Sequence, residues 1–285
     1  MKKSTFLHLR IPFSFFLLPV FLFASAVVNE VNWINFSLVF IILHLLIYPA
    51  SNGYNSYFDK DEKSIGGLEN PPPVSKELYW ISLAFDLFGL VLGLLISLDF
   101  TIMVFIYGLV SKAYSHPVVR LKKLPIIGWL AAGVFQGYFT YLLCVIALKD
   151  ISIFQALDWE NQFPGILSSA LLLGSYPMTQ VYQHEEDGKR GDLTLSRLLG
   201  IKGTFQFTAL MFSIAMGGFG YFFYAYSLNT AITFFIFMAP VLAYFLFWYM
   251  RVLKDPNEAN FKSTMRLNFI SAFCLNMFFL AWWLF

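Results

Sequence analysis

Ser51-Asn-Gly-Tyr-Asn55-Ser-Tyr-Phe-Asp59-Lys-Asp61-Glu62-Lys63 closes an apolar run that begins near residue 33. A second polar stretch, Tyr182-Gln183-His184-Glu185-Glu186-Asp187-Gly-Lys189-Arg190-Gly-Asp192, closes another run that begins near residue 164. Ionisable groups placed against the membrane cost free energy and mark functional sites. Asn55 and Asp59 are four positions apart, one turn apart on one helix face, and Gln183 and Asp187 repeat that spacing. Carboxylate and amide oxygens are hard ligands suited to Mg2+, which takes one or two carboxylates and leaves positions for phosphate oxygens. Asp61, Glu62, Glu185 and Glu186 add oxygen donors beside each pair. A single acidic helix end is most often solvated surface. Two at matched spacing on one side of a membrane argue for a shared site that holds a metal-bound diphosphate. The repeated spacing also hints at an internal duplication.

The composition sets the frame for that reading. The 285 residues are 58% hydrophobic and 20% aromatic but only 13% charged, against roughly 25% charged in soluble domains. This predicts an all-α integral membrane protein in which residues 1–285 form a single bundle. A formal charge of +2 is too small to indicate a nucleic-acid partner. Cys144 and Cys274 lie inside apolar runs without metal-ligand spacing and read as packing residues. Lys2 and Lys3 precede the first apolar run, but its long core and the lack of a small-residue cleavage site make it a first helix.

A spanning helix needs about 20 mostly apolar residues. Nine segments qualify: 11–28, 33–57, 78–97, 100–116, 125–148, 164–183, 204–227, 230–250 and 266–284. The division at Ser97-Leu98-Asp99-Phe100 leaves a very tight turn between two of them. With nine transmembrane helices, 18 of the 19 Lys and Arg residues fall on the N-terminal side and only Lys149 on the other. The positive-inside rule then puts the N-terminus and both acidic stretches on the cytoplasmic face.

A third polar segment lies on that face: Tyr114-Ser-His-Pro-Val-Val-Arg120-Leu-Lys122-Lys123-Leu-Pro125-Ile-Ile-Gly128. Arg offers a planar fork for phosphate oxygens and Lys a mobile point charge. An ordinary positive-inside loop would explain the basic residues alone. Their company with two acidic clusters fits a polyanion bound through metal. Inside the spans, Asp86, His44 and Asn276 stand out as isolated polar residues. Asp86 is the strongest functional candidate among them, as an acceptor-activating base; an interhelical hydrogen bond is the plainer account of Asn276, and for His44 that account and a functional role stand level.

These segments resemble the UbiA superfamily of intramembrane prenyltransferases. Asn55-x-x-x-Asp59 looks like the start of its first aspartate-rich motif, N-x-x-x-D-x-x-x-D. Gln183-x-x-x-Asp187 followed by Gly191-x-x-Thr194-Leu195 resembles its second, D-x-x-x-D with G-x-x-T-L. Tyr114 to Gly128 is similar to its basic loop between helices four and five. Two positions depart from the pattern: Lys63 stands where the first motif ends in aspartate, and Gln183 where the second begins with it.

The resemblance implies two Mg2+ ions that bridge the motifs and an isoprenyl diphosphate. Asn55, Asp59, Glu186 and Asp187 are the implied metal ligands, and Asp61, Lys63, Tyr114 and Gln183 complete the expected binding set. Asp61 and Glu186 are expected to make up for the lost carboxylates, and Lys63 to contact diphosphate directly. Asp59, Asp187, Arg120 and Lys122 are the expected catalytic groups. The metal and the two cations would neutralise the leaving diphosphate, so that the allylic C–O bond ionises. The prenyl tail would lie in the apolar bundle, itself surrounded by membrane lipid, and an apolar, possibly aromatic, acceptor would capture the cation. Two alternatives remain open: a terpene cyclase of UbiA type that traps the cation intramolecularly, and a carrier for an anionic lipid or metal.

Overall fold

The computed structural model describes residues 2–284 and is built of helices, with no β-strand among the described residues. The chain starts with α1 (Lys3–Leu9), which stops at Arg10 in left-handed geometry, φ 47°. Ile11–Phe16 follows as a tight 3-10 stretch and leads into α2 (Leu18–Val28), each with a proline in its first turn. A proline cannot continue a helix that precedes it, so the chain bends here by 43°.

The next element is α3 (Trp33–Asp59), capped at its start by Asn32, whose side chain accepts from the Ile34 and Asn35 N–H groups. Its middle, Ile41–Ile47, widens to a π-helical turn just before Pro49. Pro49 has no N–H to give and crowds the carbonyl four residues back, and the wider turn accommodates both faults. Downstream of it Ser51, Asn55 and Asp59 keep helical spacing and share a face. Then come α4 (Glu77–Gly93) and α5 (Leu98–Ser115). The tight turn expected between them is present. Ser97 makes it, accepting from the Phe100 N–H to cap α5.

The second half comprises α6 (Pro125–Lys149), α7 (Trp159–Ser175), the short α8 (His184–Arg190), α9 (Leu195–Tyr226), α10 (Leu228–Lys254) and α11 (Phe261–Leu284). α6 has its own π-helical turn at Phe135–Phe139. α9 is broken at Gly200, whose φ of 69° is open to glycine. Six helices are long and apolar enough to cross a membrane, or seven if the bent pair around Leu17 counts as one span. α4 and α7, 17 residues each, are shorter than those six. Length and composition therefore do not reach the expected nine spans.

Large apolar side chains cover the outside, for example Trp80, Leu87, Phe88 and Leu95, each well over half exposed. In water such a surface would aggregate; against lipid it is the ordinary solution. Inside, Phe23 packs on Tyr141, Phe219 and Phe279, with the Phe279 ring stacked at 4.8 Å. Aromatic pairs of this kind add about 0.5–1.5 kcal/mol each beyond the area they bury. Cys144 and Cys274 are buried free thiols within this packing.

Candidate active site

The C-terminal turn of α3 carries Asn55 and Asp59 to one end of the bundle, and left-handed Lys60 (φ 49°) turns the chain so that Asp61 follows. The loop after α5 brings Lys122 to the same place. Gly128 in the first turns of α6 lets it do so: a Cβ there would lie 2.9 Å from both the Leu121 carbonyl oxygen and the Lys122 Cα. Opposite stands α8 with Asp187 and Arg190, ended by Gly191 in left-handed geometry, φ 75°. Gly191 turns the chain so that the Asp192 N–H returns to the Asp187 carbonyl at 2.9 Å.

Asp59, Asp61, Asp187 and Asp192 are each held by a cation of the chain. Lys122 Nζ pairs with Asp59 and lies 3.2 Å from Asn55 Oδ1. Ser115 Oγ also donates to Asn55 Oδ1 at 3.2 Å. Arg120 takes Asp192 with both prongs, Nε to Oδ1 at 2.7 Å and Nη2 to Oδ2 at 2.8 Å, and reaches Asp59 at 3.3 Å. Arg190 bridges the two acidic stretches: it pairs with Asp61 and donates to Asp187 Oδ1 at 3.0 Å. The result is a closed network of Asp59, Asp61, Asp187 and Asp192 with Lys122, Arg120 and Arg190.

Burial and charge pull these groups in opposite directions. Burial raises the Asp187 carboxyl to about 6, although Arg190 and Lys122 oppose the shift. Asp61 is raised for the same reason, with Asp59 adding to it and Arg190 and Lys122 working against it. For Asp192 burial is outweighed by the Arg120 hydrogen bonds and the charges of Lys122, Arg120 and Arg190, and its carboxyl is lowered. Burial opposes the charge on Arg190 too, but Asp61, Asp59 and Asp187 hold it protonated more firmly than usual.

This network stands at the mouth of a cavity of about 780 Å3. Asn55, Asp59, Asp61, Tyr114, Lys122, Gln183, Asp187 and Arg190 line its polar end. Phe23, Met216, Phe235, Met238, Phe245 and Phe279 line its depth. Tyr114 and Tyr176 meet through their hydroxyls between the two zones. A charged mouth that opens into an apolar chamber suits an amphipathic molecule with an anionic head.

Several expected residues are placed elsewhere. Lys63 does not reach the cavity; it pairs with Glu185 in solvent, both side chains more than half exposed. Glu186 is buried but does not line the cavity, and its nearest cation is Lys189 at 3.7 Å. Arg120 stands behind Asp59, engaged by Asp192, and does not line the cavity. Gln183 does line it, with its amide turned toward the Ser64 carbonyl at 3.4 Å. Asp86 is ion-paired with Lys112, whose Nζ also lies over the Tyr54 ring, away from the cavity. His44 packs among Phe21, Phe40 and Tyr48, and Asn276 is buried off the cavity.

Sequence reading missed three groups. Arg10 is 9% exposed and lines the cavity, with two hydrogen bonds to the Gly66 and Asn52 carbonyls and no carboxylate partner among the described residues. Its signal was a lone Arg at a helix break before Ile11-Pro12, and the positive-inside explanation absorbed it. Arg190 and Asp192 stood inside the second stretch, but only the structure shows which carboxylates they engage.

Among the described residues no three His, Cys, Asp or Glu side chains form a ready-made metal cage. Mg2+ does not require one, since it keeps waters and phosphate oxygens around one or two carboxylates. The contact of Lys122 Nζ with both Asn55 and Asp59 shows that these two oxygens close on one cation. The donor set at the mouth thus fits Mg2+.

A helical bundle wrapped around a chamber with an acidic and basic mouth is the class that fold and site define. The sequence matches the UbiA prenyltransferase family over residues 15–279, and the chain belongs to that family. No curated protein matches it. Among solved structures it is similar to a UbiA homolog from Archaeoglobus fulgidus bound to GPP and Mg2+, with a TM-score of 0.70 and 17% identity over 98% of this chain and 99% of that one. An apo UbiA homolog from Aeropyrum pernix K1 gives 0.71 at 17% identity, covering 95% and 98%. A digeranylgeranylglyceryl phosphate synthase studied in membranes gives 0.61 at 19% identity, covering 99% and 96%. At these identities the likeness is one of fold.

Proposed function

We propose that this chain is a Mg2+-dependent prenyltransferase that moves a prenyl group from an isoprenyl diphosphate to an apolar acceptor within the membrane. It acts as one domain of nine membrane-crossing helical segments, in which α4 and α7 cross as short spans. The N-terminus and the mouth face the cytoplasm, in keeping with the bias of Lys and Arg to that side. The observation that carries the reading is the meeting of both acidic stretches at the mouth of a chamber whose depth is apolar. The Archaeoglobus homolog bound to GPP and Mg2+ supports the substrate class.

Asn55, Asp59 and Asp187 would hold Mg2+, which lowers the charge on a bound diphosphate as it departs. Lys122, on a flexible stem, moves from Asp59 to the diphosphate oxygens and supplies a point charge where negative charge develops. Arg10, free of carboxylates, donates to the same oxygens from the α1 side. Gln183 and Tyr114 complete the polar wall. Arg120 acts through Asp59 and Asp192, fixing the orientation of Asp59. The prenyl chain extends past Tyr114 and Tyr176 toward Phe23 and Phe279, where ring faces and excluded water protect a cationic fragment until the acceptor captures it.

Pyrophosphate release by the purified protein with Mg2+ and geranyl, farnesyl or geranylgeranyl diphosphate tests the reading. Release that requires an acceptor from a lipid extract, and requires both Asp59 and Asp187, is expected. Release without acceptor, giving a hydrocarbon or terpene alcohol, would instead make the chain a cyclase. Binding without release under any condition would make it a carrier.

A further inference from the structure

Two pairs of oxygen donors converge at the mouth, and each holds a cation of the chain. Lys122 sits on Asn55 and Asp59, and Arg190 sits between Asp61 and Asp187. The two cations are not held alike. Lys122 arrives from a separate loop on a mobile stem. Arg190 lies on the same short helix as Asp187, three residues on, and is enclosed by Asp61, Asp187 and, at 3.5 Å, Asp192. A guanidinium that spans several carboxylates is a rigid, permanent charge.

We propose that Arg190 is a resident cation in the place between the two acidic stretches, so that the site takes a single Mg2+ with its diphosphate. This rests on the prenyl-diphosphate reading above. Two carboxylates that would help hold a second ion are absent: position 63 is a lysine turned to solvent, and position 183 is a neutral glutamine whose amide nitrogen donates to the Ser64 carbonyl. The charges point the same way. Asp59, Asp61, Asp187 and Asp192 are balanced by Arg10, Arg120, Lys122 and Arg190, which leaves no net charge. One Mg2+ then offers two positive charges to a diphosphate ester that carries roughly two to three negative ones; a second would leave an excess. The third carboxylate on Arg190 is that of Asp192, whose Oδ2 lies 3.5 Å from the buried Nε.

The test counts ions. Wild-type protein in detergent is titrated with Mn2+ in the presence of geranyl S-thiolodiphosphate, which binds as a diphosphate and resists ionisation, and free Mn2+ is followed by electron paramagnetic resonance. One bound Mn2+ per chain is expected. Arg190→Gln is expected to bind two, and Arg190→Lys, which keeps the charge without the fork, to stay at one with the analogue held about tenfold more weakly. Two ions in the wild type, or one in a folded Arg190→Gln, overturn the inference and leave the prenyl-diphosphate reading standing. Should Arg190→Gln fail to fold by gel filtration, the wild-type count decides alone. A wild type that binds neither Mn2+ nor the analogue overturns both.

Discussion

The two acidic stretches are matched in spacing and opposite in the way their charge is held. At the end of α3, Asn55 and Asp59 bring no cation of their own and borrow Lys122 and Arg120 from the loop after α5. At α8, Asp187 has Arg190 one turn away on its own helix and Asp192 just past the helix end. The first stretch can therefore release its cation to an incoming anion. The second cannot without breaking local bonds. One half of the mouth is adaptable, the other pre-set.

If both halves serve one anion, removing either carboxylate should be equally severe. Asp59→Ala and Asp187→Ala are each expected to lower kcat/KM for pyrophosphate release by at least about 100-fold, the scale of losing one electrostatic group in a preorganised site. A loss confined to one of them would break the idea of a shared site.

Within the borrowed half, Lys122 lines the cavity and Arg120 stands behind it. Lys122→Ala should cost about 100-fold in kcat, with some loss of stability, limited because Arg120 still reaches Asp59 at 3.3 Å. Arg120→Gln should cost less activity and more stability. It leaves Asp192, 1% exposed, without its bidentate partner, and breaking a buried pair costs about 3 kcal/mol. The comparison fails if thermal unfolding ranks the two variants the other way.

The pre-set half has a pH signature. Asp187 is raised by burial to about 6 from 3.8, so the folded state favours its protonated form. Between those values the folded chain binds more protons than the unfolded one, and stability falls as pH rises. The thermal midpoint of metal-free protein should drop from pH 4 to pH 7, and Asp187→Asn should flatten that slope. Protection by Mg2+ should appear only above about pH 6, where the carboxylate is ionised. Equal protection at pH 5 and pH 8 would count against Asp187 as a ligand.

How far the sequence could be read follows from what kind of information each feature needs. Helix positions were legible because apolar runs of this length have one stable form in lipid, and the tight turn at Ser97 was legible as a split in the run, though its capping bond to the Phe100 N–H is seen only in the structure. The membrane count was less legible, because α4 and α7 are too short to decide by length. Asn55, Asp59, Asp187 and Lys122 were found through spacing and chemistry. Arg10, Arg190 and Asp192 were not, since their importance lies in partners 42 to 129 residues away. Arg120 was legible as a cation but not as one already engaged.

The smallest expected effect falls on Lys63, which alignment with the family pattern places at a lost ligand position. In the structure it has left the mouth for a solvent-exposed pair with Glu185. Such pairs contribute about 0–1 kcal/mol. Lys63→Ala should therefore leave KM for the diphosphate within about twofold, because a group in bulk solvent gives up little Coulomb energy. Lys63→Asp, which restores the family residue, is the sharper form of the same test. If the carboxylate reaches the mouth, it meets Arg190 and competes for it with Asp61, and the Mn2+ requirement changes. If it stays in solvent opposite Glu185, like charges repel, a little stability is lost, and the catalytic constants do not move. The second outcome is expected, because the turn at Lys60 that sends Asp61 inward carries position 63 out.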